Sequence, residues 1–191
     1  NMTLSATDVE MSADAFIGAD FVVAQLEVPF EAIEQAFKIA RKQNITTVLN
    51  PAPAIELPKS LLELTDIIIP NETEAELLTG ISINNESDMK ETATYFLDLG
   101  ISAVLITLGE QGTYCAYQEQ YKMIPACNVK AVDTTAAGDT FIGAFLSELN
   151  KDLSNLESAI RLANQASSLT VQRKGAQASI PTRKEVEAEY N

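Results

Sequence analysis

Short apolar runs alternate with helix-like segments along most of this chain, and this order restricts the possible folds more than any other feature. The apolar runs predict strands at 21–26, 46–49, 66–69, 101–107, 113–117, 121–124 and 129–132. Apolar residues at helical spacing predict helices from Pro29 onward and at 72–78, 87–99, 138–149, 156–171 and 183–190. The alternation predicts an α/β fold with a mainly parallel central sheet and helices on both of its faces.

Charge and residue usage narrow the classes of function. Lys and Arg number 13 against 27 Asp and Glu, a net charge of −14 that would repel a phosphate backbone, so we expect no nucleic-acid partner. No apolar run approaches the ~20 residues of a membrane helix, so we expect no membrane partner. The absence of histidine excludes Ser-His-Asp and Cys-His catalysis. The two cysteines form no CxxC pair, which favours a reduced, cytoplasmic setting.

The strongest chemical signal lies where the strand predicted at 129–132 leads into a helix. Asp133 is followed by small residues at 135–138, and Asp139 falls in the first turn of that helix. Small side chains let an anion approach backbone N–H groups, and the helix N-terminus adds partial positive charge. A carboxylate beside such an anion cradle suits phosphoryl transfer to an alcohol, with Asp139 taking the hydroxyl proton. The alternative is that Asp139 only caps the helix.

The stretch 133–141 is similar to the C-terminal signature of the ribokinase, or phosphofructokinase-B, family of sugar kinases. The stretches 50–53, 70–76 and 173–177 agree with that family in order and context, so the resemblance covers essentially the whole chain. It implies a ribokinase-like three-layer α/β/α sandwich. It also implies ATP-dependent phosphorylation of D-ribose at the 5-hydroxyl, with ATP and D-ribose as partners and a homodimeric protein.

The resemblance assigns residues to the reaction and to its substrates. It makes Asp139 the catalytic base, and it places the anion hole at the backbone N–H groups of Ala136, Ala137 and Gly138. Glu27, which follows a predicted strand, contacts the sugar together with Asp139. The nucleotide positions are Asn71, Thr107, Leu108, Gly109, Glu110, Gln111, Gly112, Gly138 and Asn164. The alternatives are a helix-start acid at Glu27, an ordinary turn at 107–112 and a polar helix face at Asn164.

Two cation sites follow from the same resemblance. Asn71 and Glu74 share a face of one helical turn, where they could order the water shell of a Mg²⁺ ion bound to ATP. The alternative is an N-terminal cap with a solvated acid. An activating K⁺ ion is implied beside the anion hole, mostly on backbone carbonyls. Its positions are Asp133, Thr135, Thr170, Arg173, Gly175 and Ser179. For Arg173 the alternative is a solvated helix end.

One departure from the family limits what the chain can do alone. The family carries an N-terminal part that supplies most sugar contacts, including a Gly-Gly-Lys-Gly-Ala-Asn type of motif, and a small β-sheet lid; neither occurs within residues 1–191. We therefore expect 1–191 to be the C-terminal portion of a ribokinase-like domain, with the nucleotide, anion-hole and cation sites. Two alternatives remain, namely nucleotide binding without turnover and a related kinase that acts on another sugar or a nucleoside.

Overall fold

Strands and helices alternate in the computed structural model, which describes residues 1–190. The strands are β1 (Phe21–Gln25), β2 (Thr46–Asn50), β3 (Ile67–Ile68), β4 (Ala103–Thr107), β5 (Gly112–Tyr117) and β6 (Gln120–Pro125). The helices are α1 (Ala6–Met11), α2 (Phe30–Lys42), α3 (Lys59–Leu62), α4 (Glu72–Thr79), α5 (Glu86–Asp98), α6 (Ala137–Glu148), α7 (Leu156–Thr170) and α8 (Arg183–Tyr190). Short 3₁₀ turns occupy Ala13–Phe16, Gly109–Gln111 and Gln177–Ser179.

The six strands form one sheet in sequence order, from β1 to β6. The pairs β1–β2, β2–β3 and β3–β4 are parallel. A two-residue turn joins β5 to β6, and both of its residues, Gln118 and Glu119, have positive φ angles of 49° and 63°. Such a turn fits the twist of an antiparallel hairpin and is too short for a parallel connection. The predicted α/β class with a mainly parallel sheet is confirmed.

The chain divides into two units, and the first comprises residues 1–107 and 114–122. Its parallel strands are rich in Val, Ile and Leu, and β3 and most of β2 and β4 are buried. Helix α2 packs against β1 and β2 through a face that includes Ile33, Phe37 and Ala40, which recur at helical spacing and are buried. Strands buried on both faces show continuous apolar runs, which explains why their sequences were recognisable.

The second unit comprises residues 108–113 and 123–190. Helices α6 and α7 pack along each other. On α6, the rings of Phe141 and Phe145 stack with centroids 6.2 Å apart. On α7, Ala159, Ile160 and Ala163 are fully buried. Helix α8 adds Val186 to a small cluster at the end of α7. This packing fixes the position of α6, the helix that begins at the predicted anion cradle.

The strand predicted at 129–132 is wrong, because this segment is irregular. The N–H groups of Val132 and Asp133 both donate to the carbonyl oxygen of Val171, at 2.7 and 3.1 Å, just beyond the end of α7. The backbone N–H groups of this segment therefore find their acceptor at the end of a helix and not in a strand, and Val132 remains exposed. Helix α1 was not predicted from the sequence; it is only six residues long and none of its residues is buried.

Candidate functional site

Four parallel strands end at one edge of the sheet in the first unit, and the candidate residues of this unit follow them. Glu27 is exposed and lies in the turn that follows β1, next to the buried Leu26. Asn71 follows β3 and forms an isolated parallel bridge with Thr107, the last residue of β4. The N–H of Thr107 donates to the carbonyl oxygen of Pro70 at 2.9 Å, which extends the β3–β4 pairing to this edge. The fold thus places Asn71 and Thr107 side by side, and a nucleotide contact at these residues stays a prediction.

Asn71 and Glu74 form a closed pair at the start of α4. Asn71 Oδ1 accepts from the N–H of Glu74 at 2.8 Å, while the backbone N–H and Nδ2 of Asn71 donate to the two Glu74 carboxylate oxygens at 2.9 Å each. The alternative of an N-terminal cap is therefore present in the structure. The acid is not solvated, because Glu74 is only 5% exposed. Burial raises the pKa of this carboxyl, and the two Asn71 donors partly offset that effect.

The chemistry of this pair suits magnesium. Carboxylate and amide oxygens are hard ligands, and each carboxylate oxygen has a second lone pair beyond the one used by Asn71. Residues 1–190 contain no group of three or more Cys, Asp or Glu side chains that could hold a metal ion by themselves. A Mg²⁺ ion here would take most of its ligands from phosphate and water, which is usual for this ion.

In the second unit, α6 begins without a side-chain cap, so its first backbone N–H groups are not bonded by any side chain that the structure describes. Ala136 is the N-cap residue, in the left-handed region at φ 61°, and it has no side-chain oxygen to cap the helix. Gly138 and Asp139 are exposed. The N–H of Ala137 donates to the carbonyl oxygen of Thr134 at 3.2 Å. Within residues 1–190, the N–H groups of Ala136 and Gly138 have no acceptor. Two of the three predicted anion-hole amides are therefore available to a ligand at a helix N-terminus.

Asp133 joins the two loops that flank helices α6 and α7. Its Oδ1 accepts from the N–H of Thr135 at 3.0 Å, and its Oδ2 accepts from the N–H of Gly175 at 2.9 Å. The bonds from Gly175 and Thr135 lower the pKa of the Asp133 carboxyl to about 2. Three residues of the predicted K⁺ site are thereby brought together, although Asp133 and Gly175 are 42 positions apart.

The other K⁺ positions lie near the end of α7 or beyond it. The N–H of Arg173 donates to the carbonyl oxygen of Thr170 at 3.0 Å, while its guanidinium donates to Glu185 at 2.7 Å. Arg173 is therefore ion-paired rather than a freely solvated helix end. Ser179 is buried, and its hydroxyl donates to the carbonyl oxygen of Ala176 at 2.6 Å. A cation role for these residues through their carbonyl oxygens stays a prediction.

Asn164 and the 107–112 loop have clear structural roles. Asn164 is 7% exposed; its Oδ1 accepts from Thr113 Oγ1 at 2.9 Å, and its Nδ2 donates to the carbonyl oxygens of Ile124 and Pro125 at 3.1 and 3.2 Å. The loop is a 3₁₀ turn in which the N–H of Leu108 donates to the carbonyl oxygen of Gly112 at 2.8 Å. A nucleotide contact at either place stays a prediction.

Two side chains of α7 support the start of α6: Ser167, which was not predicted as a site residue, and Thr170, which was predicted only as a K⁺ position. Ser167 Oγ on α7 donates to the carbonyl oxygen of Ala137 at 3.0 Å, and Thr170 Oγ1 donates to Thr140 Oγ1 at 3.0 Å. Ser167 and Thr170 are three residues apart and therefore share one face of α7. A hydroxyl side chain on an otherwise apolar helix face was the signal that could have identified Ser167.

Comparison with known proteins defines the class to which this fold and these residues belong. The sequence profile of the pfkB family carbohydrate kinases matches residues 5–183. The chain therefore belongs to the pfkB family of carbohydrate kinases.

Individual relatives show which carbohydrate kinases of this family the chain is similar to. The chain is 63% identical over 186 residues to a ribokinase of Staphylococcus aureus, covering 97% of this chain and 61% of that protein. It is 35% identical over 183 residues to a deoxyribokinase of Salmonella typhimurium, covering 95% and 60%. The structure of Arabidopsis thaliana ribokinase complexed with ribose and ATP matches with a TM-score of 0.86 at 32% identity, covering 97% and 59%. The predicted ribokinase-like α/β/α fold is confirmed, and the chain spans about three fifths of these relatives' length.

Proposed function

We propose that the protein transfers the γ-phosphoryl group of ATP to the 5-hydroxyl of D-ribose, giving ribose 5-phosphate and ADP. The observation that carries this proposal is the start of α6, where the Ala136 and Gly138 amides, which have no acceptor within residues 1–190, stand beside the exposed Asp139. The 63% identity to a ribokinase, against 35% to a deoxyribokinase, favours D-ribose over 2-deoxyribose.

In this proposal Asp139 removes the proton of the attacking hydroxyl as the oxygen–phosphorus bond forms. The amides of Ala136 and Gly138 stabilise the charge on the transferring group, and the α6 N-terminus adds partial positive charge. The Ala137 amide, which donates to Thr134 in the structure, would join them only by giving up that bond. The alternative of a purely capping Asp139 is weakened because Ala136, the N-cap residue, has no side-chain oxygen for a reciprocal cap. Glu27, exposed after β1, is proposed to accept hydrogen bonds from sugar hydroxyls.

Two cations belong to the proposal. A Mg²⁺ ion bound with ATP would neutralise phosphate charge, and Asn71 and Glu74 would hold its water shell. A K⁺ ion would lie on the carbonyl oxygens of the Asp133 and Gly175 loops. Asp133 is suited to the neighbourhood of a cation because its carboxyl has a pKa of about 2 and so stays ionised.

The assigned base can be tested with Asp139→Asn in the intact protein. Ribose-dependent ADP release should fall at least ~100-fold, the usual scale for a positioned general base, while calorimetric MgATP affinity should change little. Asp98→Asn, which alters an exposed acid at the end of α5, is the matched control and should keep full turnover. Near-normal turnover in Asp139→Asn would rule out the assigned role.

A second candidate is nucleotide binding without turnover by residues 1–191. It is favoured by the observation that the chain covers only 61% of the Staphylococcus aureus ribokinase. Calorimetric titration with MgATP and an ADP-release assay with D-ribose separate the two proposals, because this candidate predicts binding heat without ribose-dependent ADP. A panel of 2-deoxyribose, fructose phosphate and adenosine tests the remaining alternative of another substrate.

Location and assembly remain part of the proposal. None of the helices within residues 1–190 is long and apolar enough to cross a bilayer. We propose a cytoplasmic location, which a content of two cysteines without a CxxC motif supports. The homodimer implied by the family resemblance can be tested by light scattering on the intact protein.

A further inference from the structure

One side of α7 holds the chain segment that contains the proposed anion cradle and base. The carbonyl oxygen of Val171 accepts from the N–H groups of Val132 and Asp133 at 2.7 and 3.1 Å. Farther along the same segment, Ser167 Oγ donates to the carbonyl oxygen of Ala137 at 3.0 Å. We call Ser167, Thr170 and Val171 the α7 brace. The brace thus contacts the segment before the cradle as well as the first turn of α6.

The two side-chain bonds of the brace lie on either side of the proposed reacting groups. Ser167 bonds the carbonyl of Ala137, and Thr170 bonds the hydroxyl of Thr140, at 3.0 Å each. Gly138 and Asp139 are the two residues between these contacts. Thr140 and Thr170 are buried, with exposures of 4% and 0%, so their bond is shielded from water. The first turn of α6 is therefore attached to α7 at both of its ends.

This attachment matters because α6 has no local device of its own for fixing its first turn. Its N-cap residue is Ala136, with no side-chain cap, whereas α1, α4 and α5 begin at Ser5, Asn71 and Asn85, whose side chains accept backbone N–H bonds. An uncapped first turn frays more readily. At α6 a side-chain cap would also occupy amides that a phosphoryl group needs. A hydrogen bond from Ser167 to the Ala137 carbonyl orders the turn without occupying the amide N–H groups, which stay accessible.

We propose that Ser167 is a positioning residue for phosphoryl transfer: its hydroxyl, through the Ala137 carbonyl, holds the Gly138 amide and the Asp139 carboxylate in the reactive geometry. This inference rests on the proposed kinase function. A misplacement of about 1 Å can cost roughly 100-fold in rate. Because the Thr140–Thr170 and Val171 bonds remain when the Ser167 hydroxyl is removed, we expect a loss of about tenfold, equivalent to about 1.4 kcal/mol.

The test compares Ser167→Ala, Ser167→Thr and Ser158→Ala in the intact protein. Ser158 is the matched control, because it lies on α7, is exposed, and donates its hydroxyl to the carbonyl oxygen of Asn155 at 2.9 Å, with no hydrogen bond to the first turn of α6 within residues 1–190. For Ser167→Ala, kcat should fall about tenfold while the KM for ribose and the MgATP affinity stay within about twofold. Ser167→Thr, which keeps the hydroxyl, should restore kcat, and Ser158→Ala should match the unmodified protein.

Amide hydrogen exchange gives a readout that does not need turnover. The N–H of Thr140, bonded to the Ala136 carbonyl at 2.9 Å, should exchange faster in Ser167→Ala and unchanged in Ser158→Ala. Unchanged exchange or an unchanged kcat in Ser167→Ala would overturn the inference, as would an equal loss of kcat in Ser167→Thr. If the unmodified protein shows no ribose-dependent turnover, the proposed function fails, whereas normal turnover with an unaffected Ser167→Ala variant refutes only the positioning role.

Discussion

Gly112 occupies a backbone position that no other residue can enter without moving its neighbours. Its φ is 112°, and a Cβ atom there would lie 2.2 Å from the carbonyl oxygen of Ile124 and 2.5 Å from the N atom of Ala126. Gly109, at the other end of the same turn, has a φ of 55° and open space around its Cβ position. The two glycines of one loop therefore differ in the reason for which they are needed.

We predict that Gly112→Ala destabilises the protein more than Gly109→Ala. For Gly109 the cost should be about 1–2 kcal/mol, the usual penalty of a left-handed conformation. For Gly112 the strain of about 1–3 kcal/mol adds to a collision with backbone atoms that cannot rotate away. Urea unfolding of both variants measures the difference, and equal midpoints would contradict the described geometry.

We predict that Asp133 contributes to the loss of protein stability at acidic pH. Bonds from Gly175 and Thr135 lower the folded-state pKa of Asp133 to about 2, below the ordinary value of 3.8 for an aspartate. A lowered pKa means that the stabilising contribution is complete above pH ~4 and disappears as the pH falls towards 2. In thermal melts from pH 6 to pH 2, Asp133→Asn should therefore lose less stability with acid than the unmodified protein. The control Asp98→Asn should follow the unmodified curve.

At the scale of elements, two helices begin with the same residue type for different reasons. Asn71 caps α4 and Asn85 caps α5, each accepting backbone N–H bonds. Asn71 also donates to Glu74, a buried acid at the predicted Mg²⁺ site, whereas Asn85 donates to the exposed Asp88. Comparing Asn71 with Asn85 therefore distinguishes a role in capping a helix from a role in binding a ligand.

We predict that Asn85→Ala costs about 1 kcal/mol and Asn71→Ala up to ~2 kcal/mol, because the buried Glu74 carboxylate also loses a donor. Only Asn71→Ala should weaken MgATP binding in calorimetric titrations. If both variants changed MgATP affinity equally, Asn71 would have no role beyond capping α4.

The elements also show which parts of this molecule sequence patterns can predict. The strands β2 to β4 were predictable because most of their residues are buried and form short apolar runs. Strand β1 was recognised from its apolar run although none of its residues is buried. The segment at 129–132 has a similar composition, but it bonds the end of α7 instead of another strand. Among the site residues, Asn71 and Glu74 could be paired from their spacing alone. Ser167 and Ala137 are 30 positions apart, so nothing local in the sequence indicates their contact.

At the scale of the whole molecule, the net charge of −14 opposes compaction. Raising the ionic strength to about 150 mM with choline chloride should raise the melting temperature by screening this repulsion. If the predicted K⁺ site exists, KCl at equal ionic strength should add a further increase in the presence of MgATP. The variant Asp133→Ala should abolish the difference between the two salts. Identical melting curves in KCl and choline chloride would refute the cation site.

Helix α7 has two duties, since one side fills the hydrophobic interior through Ala159, Ile160 and Ala163 while Ser167 and Thr170 bond α6. The helical geometry fixes the orientation of the two sets of side chains relative to each other. Inserting one residue between Ala163 and Ser167 would turn the later part of the helix by roughly 100° relative to the earlier part. The hydroxyls would then face away from α6 while the buried alanines stayed in place. Natural length variation among related kinases should therefore accumulate in the 150–155 loop and be rare inside this helix.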